Sequence, residues 1–217
     1  MMVLGLTGSI AMGKSTAAAM FRRLGVPVYD ADRAVHRLLG KGGAAVSAVA
    51  GAFPGVVVEG EVDRRLLAAR VFGDAAALRE LEGILHPLVA RERRRFLRAA
   101  RRQGRRLVVL DIPLLFETGG ERDCDAVAVV SAPVSLQYAR LLRRPGMSPE
   151  RIAGIMRRQM PDEEKRRRAD FIIPTGLGKA SSYAMIRDIV AKLLAGQRQR
   201  VRDTYKLRSL DAIKHNM

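Results

Sequence analysis

An eight-residue segment near the start of the chain constrains the fold more than any other feature. Residues 8–15 read GSIAMGKS, with glycine at the first and sixth positions and then lysine and serine. In this spacing, backbone N–H groups surround phosphate oxygens, the lysine reaches the β- and γ-phosphates, and the hydroxyl binds Mg²⁺. The pattern predicts a binding site for a nucleoside triphosphate.

The segments on either side of this loop have the character that a phosphate-binding loop requires. Residues 2–6 are apolar and predict a buried strand, whereas residues 16–24 are mostly good helix formers and are followed by Gly25 as a helix stop. Strand, loop and helix follow in the right order, and the N-terminus of the helix would face the phosphates. A glycine-rich turn with a solvated lysine is the alternative, and this context makes it the weaker one.

Further apolar runs predict four more strands, with helices between them. The runs are residues 26–29, 107–110, 126–130 and 169–173. The run at 107–110 is unbroken, which is typical of a parallel strand that helices cover on both faces. We therefore expect a doubly wound α/β fold with a sheet of five parallel strands.

Caps and breaks locate the predicted helices. Asp63 and Asp74 are expected N-caps, and His86-Pro87 is expected to start a separate helix because proline fits the first helical turn. Residues 56–60 are expected to form an irregular turn. The expected helical segments are 33–52 with a break at 40–43, 63–72, 74–85, 86–103, a polar stretch over 134–168, and 180–200.

Net charge limits the classes of partner. The chain carries 39 Lys and Arg against 22 Asp and Glu, which gives a formal charge of +17. Such a charge attracts polyanions, either a nucleic acid or phosphorylated small molecules. The basic residues between 91 and 106 lack a platform of aromatic side chains for stacking on bases, so we expect a solvated helix face there and no nucleic-acid partner.

Other features of the composition indicate the cellular setting. No apolar stretch approaches the roughly 20 residues that a membrane span needs, and the chain enters its first predicted strand without a charged leader. The single cysteine, Cys124, cannot form an internal disulfide. We expect a cytoplasmic protein without a membrane partner, either a monomer or a weak homo-oligomer.

Phosphoryl transfer requires charged groups on the phosphates, a metal-binding group and a residue that orients the attacking oxygen. Lys14 is the predicted cation, and Ser15 with Asp111 is predicted to bind Mg²⁺. Asp32 follows the second strand, at the ligand edge of an open α/β sheet, and is the predicted base for the acceptor hydroxyl. Asp30 is the alternative base or assists the metal, although aspartates are also common as caps and turn residues.

Arginines near the end of one predicted helix are candidates for a lid. Arg140 and Arg144 precede a break at Pro145-Gly146, and a guanidinium that closes over the phosphates would stabilise charge in the transition state. Solvated helix ends are the alternative interpretation. His86 is expected to contact substrate or to cap its helix, and zinc is not expected because no metal ligand lies nearby in the sequence.

Eight short motifs, in chain order, resemble those of the dephospho-coenzyme A kinase family. The resemblance runs from residue 2 to about residue 195, which is most of the chain. The motifs are GSIAMGKST at 8–16, DAD at 30–32, DRRLL at 63–67, LEGILHP at 81–87, DIPLLFE at 111–117, QYARLLRR at 137–144, RQM at 158–160 and AD at 169–170.

The resemblance implies a P-loop NTPase fold and a reaction. ATP would phosphorylate the 3′-hydroxyl of the ribose of dephospho-CoA, with Mg²⁺, in the last step of coenzyme A synthesis. Residues 1–200 would form one kinase domain with a helical substrate-binding insertion at about 33–104 and a lid at about 134–168, followed by a basic tail at 201–217. The implied site residues are Gly8, Ala11, Met12, Gly13, Lys14, Ser15 and Thr16 for ATP; Asp32, Lys14, Arg140 and Arg144 for catalysis; and Asp32, Arg65, His86, Pro113, Leu114 and Glu117 for the acceptor.

The chain also departs from the family pattern. Ser9 and Ala11 stand where the family usually has glycine, and Ala11 is expected to be strained if its φ is positive. Pro54 follows Phe53 in place of the usual glycine, and Pro174 stands near an expected adenine contact where a polar residue is more common.

Two other functions fit part of the pattern. Shikimate kinases share the loop and the strand-end DxD, but the HP and DIPLLFE motifs argue against them. A basic nucleic-acid-binding NTPase would explain the net charge of +17, and it predicts hydrolysis that polynucleotides stimulate and salt suppresses.

Overall fold

The computed structural model of the chain describes residues 1–157 and 159–196. The strands are β1 (Met2–Thr7), β2 (Val28–Asp30), β3 (Val57–Val58), β4 (Glu61–Val62), β5 (Leu107–Asp111), β6 (Ala126–Ser131) and β7 (Phe171–Pro174). The helices are α1 (Lys14–Arg23), α2 (Ala31–Leu39), α3 (Val46–Ala52), α4 (Arg64–Val71), α5 (Ala75–Arg102), α6 (Val134–Leu142), α7 (Pro149–Arg157), α8 (Asp162–Arg168) and α9 (Lys179–Leu194).

Five parallel strands form the main sheet in the order β2-β5-β1-β6-β7, which confirms the predicted α/β fold class. Strand β1 lies at the centre, where Leu6 pairs with Asp111 of β5 on one side and with Ala128 of β6 on the other. Because the strands are parallel, their carboxyl ends meet at one edge. The register therefore places Asp111 at the same edge as the loop that follows β1.

The strands of this sheet do not alternate between apolar and polar residues, because the side chains on both faces of the sheet are buried. Leu4 and Leu6 of β1 are fully buried, and so is Phe21 of α1. Helices α1 and α9 pack against each other, and α8 packs against β6. The core of this part of the chain includes Leu4, Leu6, Phe21, Val109, Ala128, Val130, Ile173, Ile186 and Ile189.

The chain divides into two compact units. The first contains Met1–Tyr29 and the chain from Gly104 onward, and the second is Asp30–Gln103. In the second unit α5 packs against α2, α3 and α4, and β3 pairs with β4. The core of this helical unit contains Leu38, Leu39, Val49, Phe53, Val56, Leu67 and Leu81.

Helix α5 corrects the prediction of a boundary at His86. It runs without interruption through Pro87, so the two helices expected at 74–85 and 86–103 are one. Proline removes one intrahelical hydrogen bond and usually kinks or ends a helix. Here Leu81 and Ile84 before the proline and Leu88 after it pack into the same core. Packing on both sides of the proline outweighs the lost bond.

Two further predictions about local structure were wrong. Residues 56–60 were expected to form an irregular turn, but β3 and β4 form a hairpin in which Val57 pairs with Val62. Glu59 and Gly60 both have positive φ, as a tight turn between twisted strands requires. The last helix ends at Leu194, where Gly196 with φ 73 stops it. Residues 197–200 and the predicted tail at 201–217 lie outside the described residues.

None of the helices in the described part of the chain has the length and apolar character needed to cross a bilayer.

Candidate active site

The loop between β1 and α1 has the backbone conformation of a phosphate-binding loop. A Cβ added to Gly8 would lie 2.3 Å from Val130 Cγ2, so only glycine fits beside β6. Gly13 caps α1 with φ 94. Ala11 has φ 60, in the left-handed region, so the condition under which strain was expected at this residue is met. Residues 8–13 therefore turn sharply before the helix begins at Lys14.

Several backbone donors in this loop have no acceptor among the residues that the structure describes. The N–H groups of Ala11, Gly13, Lys14 and Ser15 donate no hydrogen bond to any residue in the described ranges 1–157 and 159–196. Ser15 and the next residue are exposed, so solvent reaches this end of the loop. Unpaired N–H groups at the start of a helix, together with its dipole, form an anion site.

Lys14 and Asp111, predicted separately, meet at the edge of the sheet. Lys14 Nζ lies 2.5 Å from Asp111 Oδ1, and the two side chains are 15% and 3% exposed. Asp111 therefore holds the ammonium beside the loop.

Two glutamines hold the peptide groups at Ile10. Gln137 of α6 donates from Nε2 to Ile10 O at 2.9 Å. Gln159, between α7 and α8, accepts at Oε1 from Ile10 N at 3.0 Å. Neither glutamine was identified from the sequence, because the side chains that meet the loop come from segments far along the chain.

Two further side chains hold the carbonyl groups that follow. Arg140 Nη1 donates to Ala11 O at 3.2 Å, and Arg140 Nη2 donates to Thr175 O at 2.9 Å. Thr175 Oγ1 donates to Met12 O at 2.5 Å. We call Gln137, Arg140, Gln159 and Thr175 the loop brace.

The predicted lid arginines have different surroundings. Arg140 is half-buried and bonded to the loop, whereas Arg144 is exposed just beyond the end of α6. The structure brings Arg140 to the phosphate loop, and it leaves Arg144 in solvent.

The segment 113–117 follows β5 in the first unit, and polar contacts hold it in place. Thr7 Oγ1 donates to Pro113 O at 2.9 Å, while Leu114 is exposed. Glu117 Oε1 lies 2.9 Å from Lys165 Nζ and accepts from Met160 N at 3.0 Å. Partial burial alone would raise the pKa of Glu117. The hydrogen bonds from Lys165 and the Met160 amide outweigh this effect and lower the pKa of Glu117 below its ordinary value of 4.5.

Helix α8, the last helix of the predicted lid segment, is anchored against the sheet. The Lys165 side chain is fully buried. Asp162 Oδ2 accepts from Ser131 Oγ of β6 at 2.7 Å. Burial raises the pKa of Asp162, and the bond from Ser131 only partly opposes this. Lys165 is a buried charge that sequence reasoning missed, because the charged sequence of α8 is typical of an exposed helix.

The two candidate bases behave differently within the helical unit. Asp30 caps α2, where its Oδ1 accepts from Arg33 N at 2.9 Å. Asp32 lies in the first turn of α2 and is exposed. Its carboxylate accepts no hydrogen bond from the residues that the structure describes. Asp30 thus has a structural role, and Asp32 is available for chemistry.

The predicted acceptor residues of the helical unit lie on separate elements. Arg65 lines a cavity of about 300 Å³, whereas His86 is exposed on α5. Asp63 accepts from the N–H groups of Arg65 and Leu66, and these bonds lower the pKa of Asp63. The cavity is lined mainly by His36, Leu39, Val58, Glu61, Asp63 and Arg65.

The donors available at the loop suit Mg²⁺. Ser15 supplies a hydroxyl and Asp111 a carboxylate, and both are hard oxygen ligands. Within the described part of the chain, no group of three or more His, Cys, Asp or Glu residues could hold a metal. Magnesium on a bound triphosphate needs no such group, because phosphates and water provide most of its ligands.

A family model described as dephospho-CoA kinase matches residues 2–178. The chain belongs to the dephospho-CoA kinase family. A dephospho-CoA kinase of Paramagnetospirillum magneticum is 64% identical over 166 residues, which are 76% of this chain and 78% of that protein. One from Mesorhizobium japonicum is 56% identical over 198 residues, 91% of this chain and 99% of the relative.

Several solved structures are similar to this chain. The crystal structure of TT1252 from Thermus thermophilus is 36% identical, with a TM-score of 0.76, and covers 88% of this chain and 97% of its own. Dephospho-CoA kinase from Campylobacter jejuni is 25% identical with a TM-score of 0.60, covering 88% and 96%. A shikimate kinase from Acinetobacter baumannii, 17% identical with a TM-score of 0.50, shares the fold alone.

Membership of the dephospho-CoA kinase family confirms the predicted kinase and its P-loop fold, and it does not favour the shikimate kinase or nucleic-acid alternatives. The roles of individual residues stay predictions. Thr175 and the two glutamines of the loop brace are additions from the structure. Only the position of Thr175 directly after β7, at the ligand edge of the sheet, could have indicated it from the sequence.

Proposed function

We propose that the protein transfers the γ-phosphoryl group of ATP to the 3′-hydroxyl of the ribose of dephospho-CoA, giving coenzyme A and ADP. One observation carries the proposal for a member of this family. The N–H groups of Ala11, Gly13, Lys14 and Ser15, which have no acceptor within residues 1–157 and 159–196, adjoin the Lys14–Asp111 pair at the carboxyl edge of the sheet. This arrangement supplies both the dipoles and the cation that a triphosphate requires.

Lys14 has the central role on the nucleotide side. Its ammonium is compact and can exchange Asp111 for phosphate oxygens, since both are anionic acceptors. The neutral loop amides, including those of Gly13 and Ser15, would hold the same phosphates without a charge of their own. We assign Ser15 and Asp111 to Mg²⁺, which, when bound, would neutralise charge on the β- and γ-phosphates.

Asp32 is the proposed general base. The 3′-hydroxyl loses its proton to the Asp32 carboxylate as its oxygen bonds to the γ-phosphorus, and the bond from that phosphorus to the β,γ-bridging oxygen breaks to release ADP. Two observations support this role over one for Asp30. Asp32 is exposed and accepts no hydrogen bond from described residues, whereas Asp30 caps α2.

Charge and position support the proposed acceptor contacts. Dephospho-CoA carries a pyrophosphate, and the Arg65 side chain is 94% exposed beside a cavity in the helical unit. His86 is exposed on the same unit. Pro113, Leu114 and Glu117 follow β5 at the carboxyl edge, where α/β sheets bind their ligands. We assign these residues to the acceptor.

The proposed organisation keeps one kinase domain over residues 1–200. The compact unit of residues 30–103 supports a helical insertion for the acceptor. Within the proposed lid at 134–168, exposure of Arg144 supports a role on closure. A single cysteine supports a reducing cytoplasm as the location. We further propose a monomer or weak homo-oligomer that acts on a small molecule and not on nucleic acid.

A coupled assay of ADP release tests the function. The full-length protein receives ATP and Mg²⁺ with dephospho-CoA, shikimate or RNA, and Lys14→Ala serves as the matched inactive protein. We expect release that requires dephospho-CoA and disappears in the variant. Equal or faster release with shikimate would overturn the assignment of the acceptor. Stimulation by RNA that falls steeply with salt would favour the nucleic-acid NTPase instead.

A further inference from the structure

The phosphate loop contains a residue in a conformation that its side chain disfavours. Ala11 has φ 60, and in this region the Cβ of an L-amino acid crowds the following carbonyl group. Glycine would adopt the same conformation without that cost. A loop with alanine at this position therefore depends on contacts from outside the loop to stay in the left-handed form.

Arg140 makes such a contact. Its Nη1 donates to Ala11 O at 3.2 Å and lies 3.3 Å from Thr175 Oγ1, while its Nη2 donates to Thr175 O at 2.9 Å. The guanidinium thus binds neutral oxygens on two segments, through a planar fork that a lysine cannot reproduce. Arg140 is half-buried on α6, and Gln137 of the same helix also donates a hydrogen bond to the loop.

Thr175 extends this contact to the next residues of the loop. Its Oγ1 donates to Met12 O at 2.5 Å. Its side-chain atoms lie 3.3 Å from the position that a Cβ on Gly13 would occupy. Arg140 and Thr175 therefore act together, because the arginine positions the threonine that holds the Met12 carbonyl.

Holding the carbonyl groups also sets the direction of the loop's N–H groups. A peptide unit is planar and trans, so its C=O and N–H point in opposite directions. Gln137 binds Ile10 O, which turns the N–H of Ala11 to the other side. Thr175 binds Met12 O, which does the same for the N–H of Gly13. These are two of the N–H groups without an acceptor among the described residues.

We propose that Arg140 is a positioning residue for the phosphate loop: with Thr175, it holds Ala11 in the left-handed conformation and keeps the loop N–H groups directed at the phosphates. It acts through the loop backbone and without touching the transferred phosphoryl group. The inference rests on the proposed function only in that the ligand is a nucleotide phosphate.

A double-mutant cycle tests the proposal, with ADP binding measured by calorimetry in the absence of any acceptor. We expect Arg140→Ala to weaken ADP binding about tenfold, the scale set by one strained residue. In the Ala11→Gly background the same substitution should cost about threefold or less, because glycine needs no external support. Arg187→Ala, which removes an exposed arginine of α9, should change affinity less than twofold. Arg140→Lys should recover only part of the loss.

Amide hydrogen exchange in the nucleotide-free protein provides the second measurement. Arg140→Ala should speed exchange at the amides of Ile10 and Met12, which donate to Gln159 and to Ser9 O, and Ala11→Gly should not add to that effect. If Arg140 instead contacts phosphate directly, its loss would cost the same with Ala11 or Gly at position 11, and exchange without nucleotide would stay unchanged. That result would overturn the proposal.

Thr175→Val keeps the test decisive if Arg140→Ala does not fold. Valine has nearly the same shape and lacks the donor to Met12 O, so ADP affinity should fall while the packing against Gly13 is kept. Unchanged affinity and unchanged exchange in Thr175→Val would contradict the proposal. If the protein fails to phosphorylate dephospho-CoA, the proposed acceptor is overturned. The coupling between positions 11 and 140 is measured with ADP alone and does not depend on that result.

Discussion

The phosphate loop and the helical unit of residues 30–103 are stabilised by opposite kinds of side-chain hydrogen bond. Ile10 donates to Gln159, 149 residues further along the chain, and Ala11 accepts from Arg140, 129 residues away. In the helical unit, Asp63 and Asp74 accept from N–H groups only two or three residues ahead. The loop therefore depends on the tertiary structure, whereas the helix ends largely depend on their own sequence.

Because of this difference, we expect nucleotide affinity and the free energy of unfolding to respond to different substitutions. A substitution that weakens a distant partner of the loop should change nucleotide binding, because the loop N–H groups lose their direction. Removal of a helix cap should change the free energy of unfolding and leave nucleotide affinity intact. The predictions below probe this separation from the largest expected effect to the smallest.

Lys14→Ala should have the largest effect. The lysine supplies the only charge in residues 8–15, so we expect kcat/KM to fall by roughly 10³-fold or more with the circular dichroism spectrum unchanged. Lys14→Arg should also fail, because a planar guanidinium does not replace a compact ammonium in a tight loop. Turnover near that of the wild type in either variant would contradict the phosphate-loop assignment.

Asp32→Asn should lower kcat by roughly 10²–10⁴-fold and change ATP affinity little, because an amide cannot accept the proton of the acceptor hydroxyl. Asp30→Asn is the matched control on the same helix. Asparagine caps helices as well as aspartate does, so this variant should stay folded and lose much less activity. Steady-state kinetics with dephospho-CoA would reject the base assignment if Asp32→Asn kept more than about a tenth of kcat.

Glu117→Gln should destabilise the fold, because it leaves the buried Lys165 without its anion. We expect a loss of about 2–3 kcal/mol in the free energy of unfolding at pH 7, measured with urea. Lys165→Met is the comparison, and it should cost less, because Glu117 stays 18% exposed and can be hydrated.

The destabilisation in Glu117→Gln should depend on pH. The pKa of Glu117 is lowered in the folded protein from an ordinary value of 4.5. Its charge therefore contributes stability that is fully present above pH 4.5 and is lost as the pH falls through the lower folded pKa. The difference between wild type and variant should shrink over that range. A difference that stays constant down to pH 3 would show that the ion pair is not its source.

Asp74→Ala should have the smallest effect, a slight fall in the free energy of unfolding, measured as a lower urea midpoint, because a helix cap is lost. The Asp74 carboxylate accepts from Ala76 N at 2.8 Å and from Ala77 N at 3.0 Å at the start of α5. Asp74→Asn keeps a capping oxygen and should restore most of the stability. ADP affinity should be the same in all three proteins, and a shift beyond twofold would break the separation between caps and loop.

Structural features that depend only on a few neighbouring residues could be predicted from the sequence. The strand, loop and helix around residues 8–15 follow from composition and spacing, and the caps at Asp63 and Asp74 follow from one residue type at a helix start. The expected strain at Ala11 followed from the family resemblance, since glycine usually stands at that position, and its φ of 60 agrees with the expectation.

Features that depend on distant residues could not be predicted. Pro87 was expected to begin a helix, but core packing on both sides of it keeps α5 continuous. Lys165 lies in a run of charges typical of an exposed helix, yet α8 packs on the sheet and buries it. The same limit applies to Gln137 and Gln159, because nothing near them in the sequence shows that they meet the loop.

Identification of the product tests the central claim most directly. The purified protein is incubated with ATP, Mg²⁺ and dephospho-CoA, and the product is examined by phosphorus NMR and by comparison with authentic coenzyme A. The account predicts a phosphomonoester on the 3′-hydroxyl of the ribose, formed in equal amount to ADP and absent with Lys14→Ala. ADP without coenzyme A, or a phosphoryl group on any other hydroxyl, would contradict it.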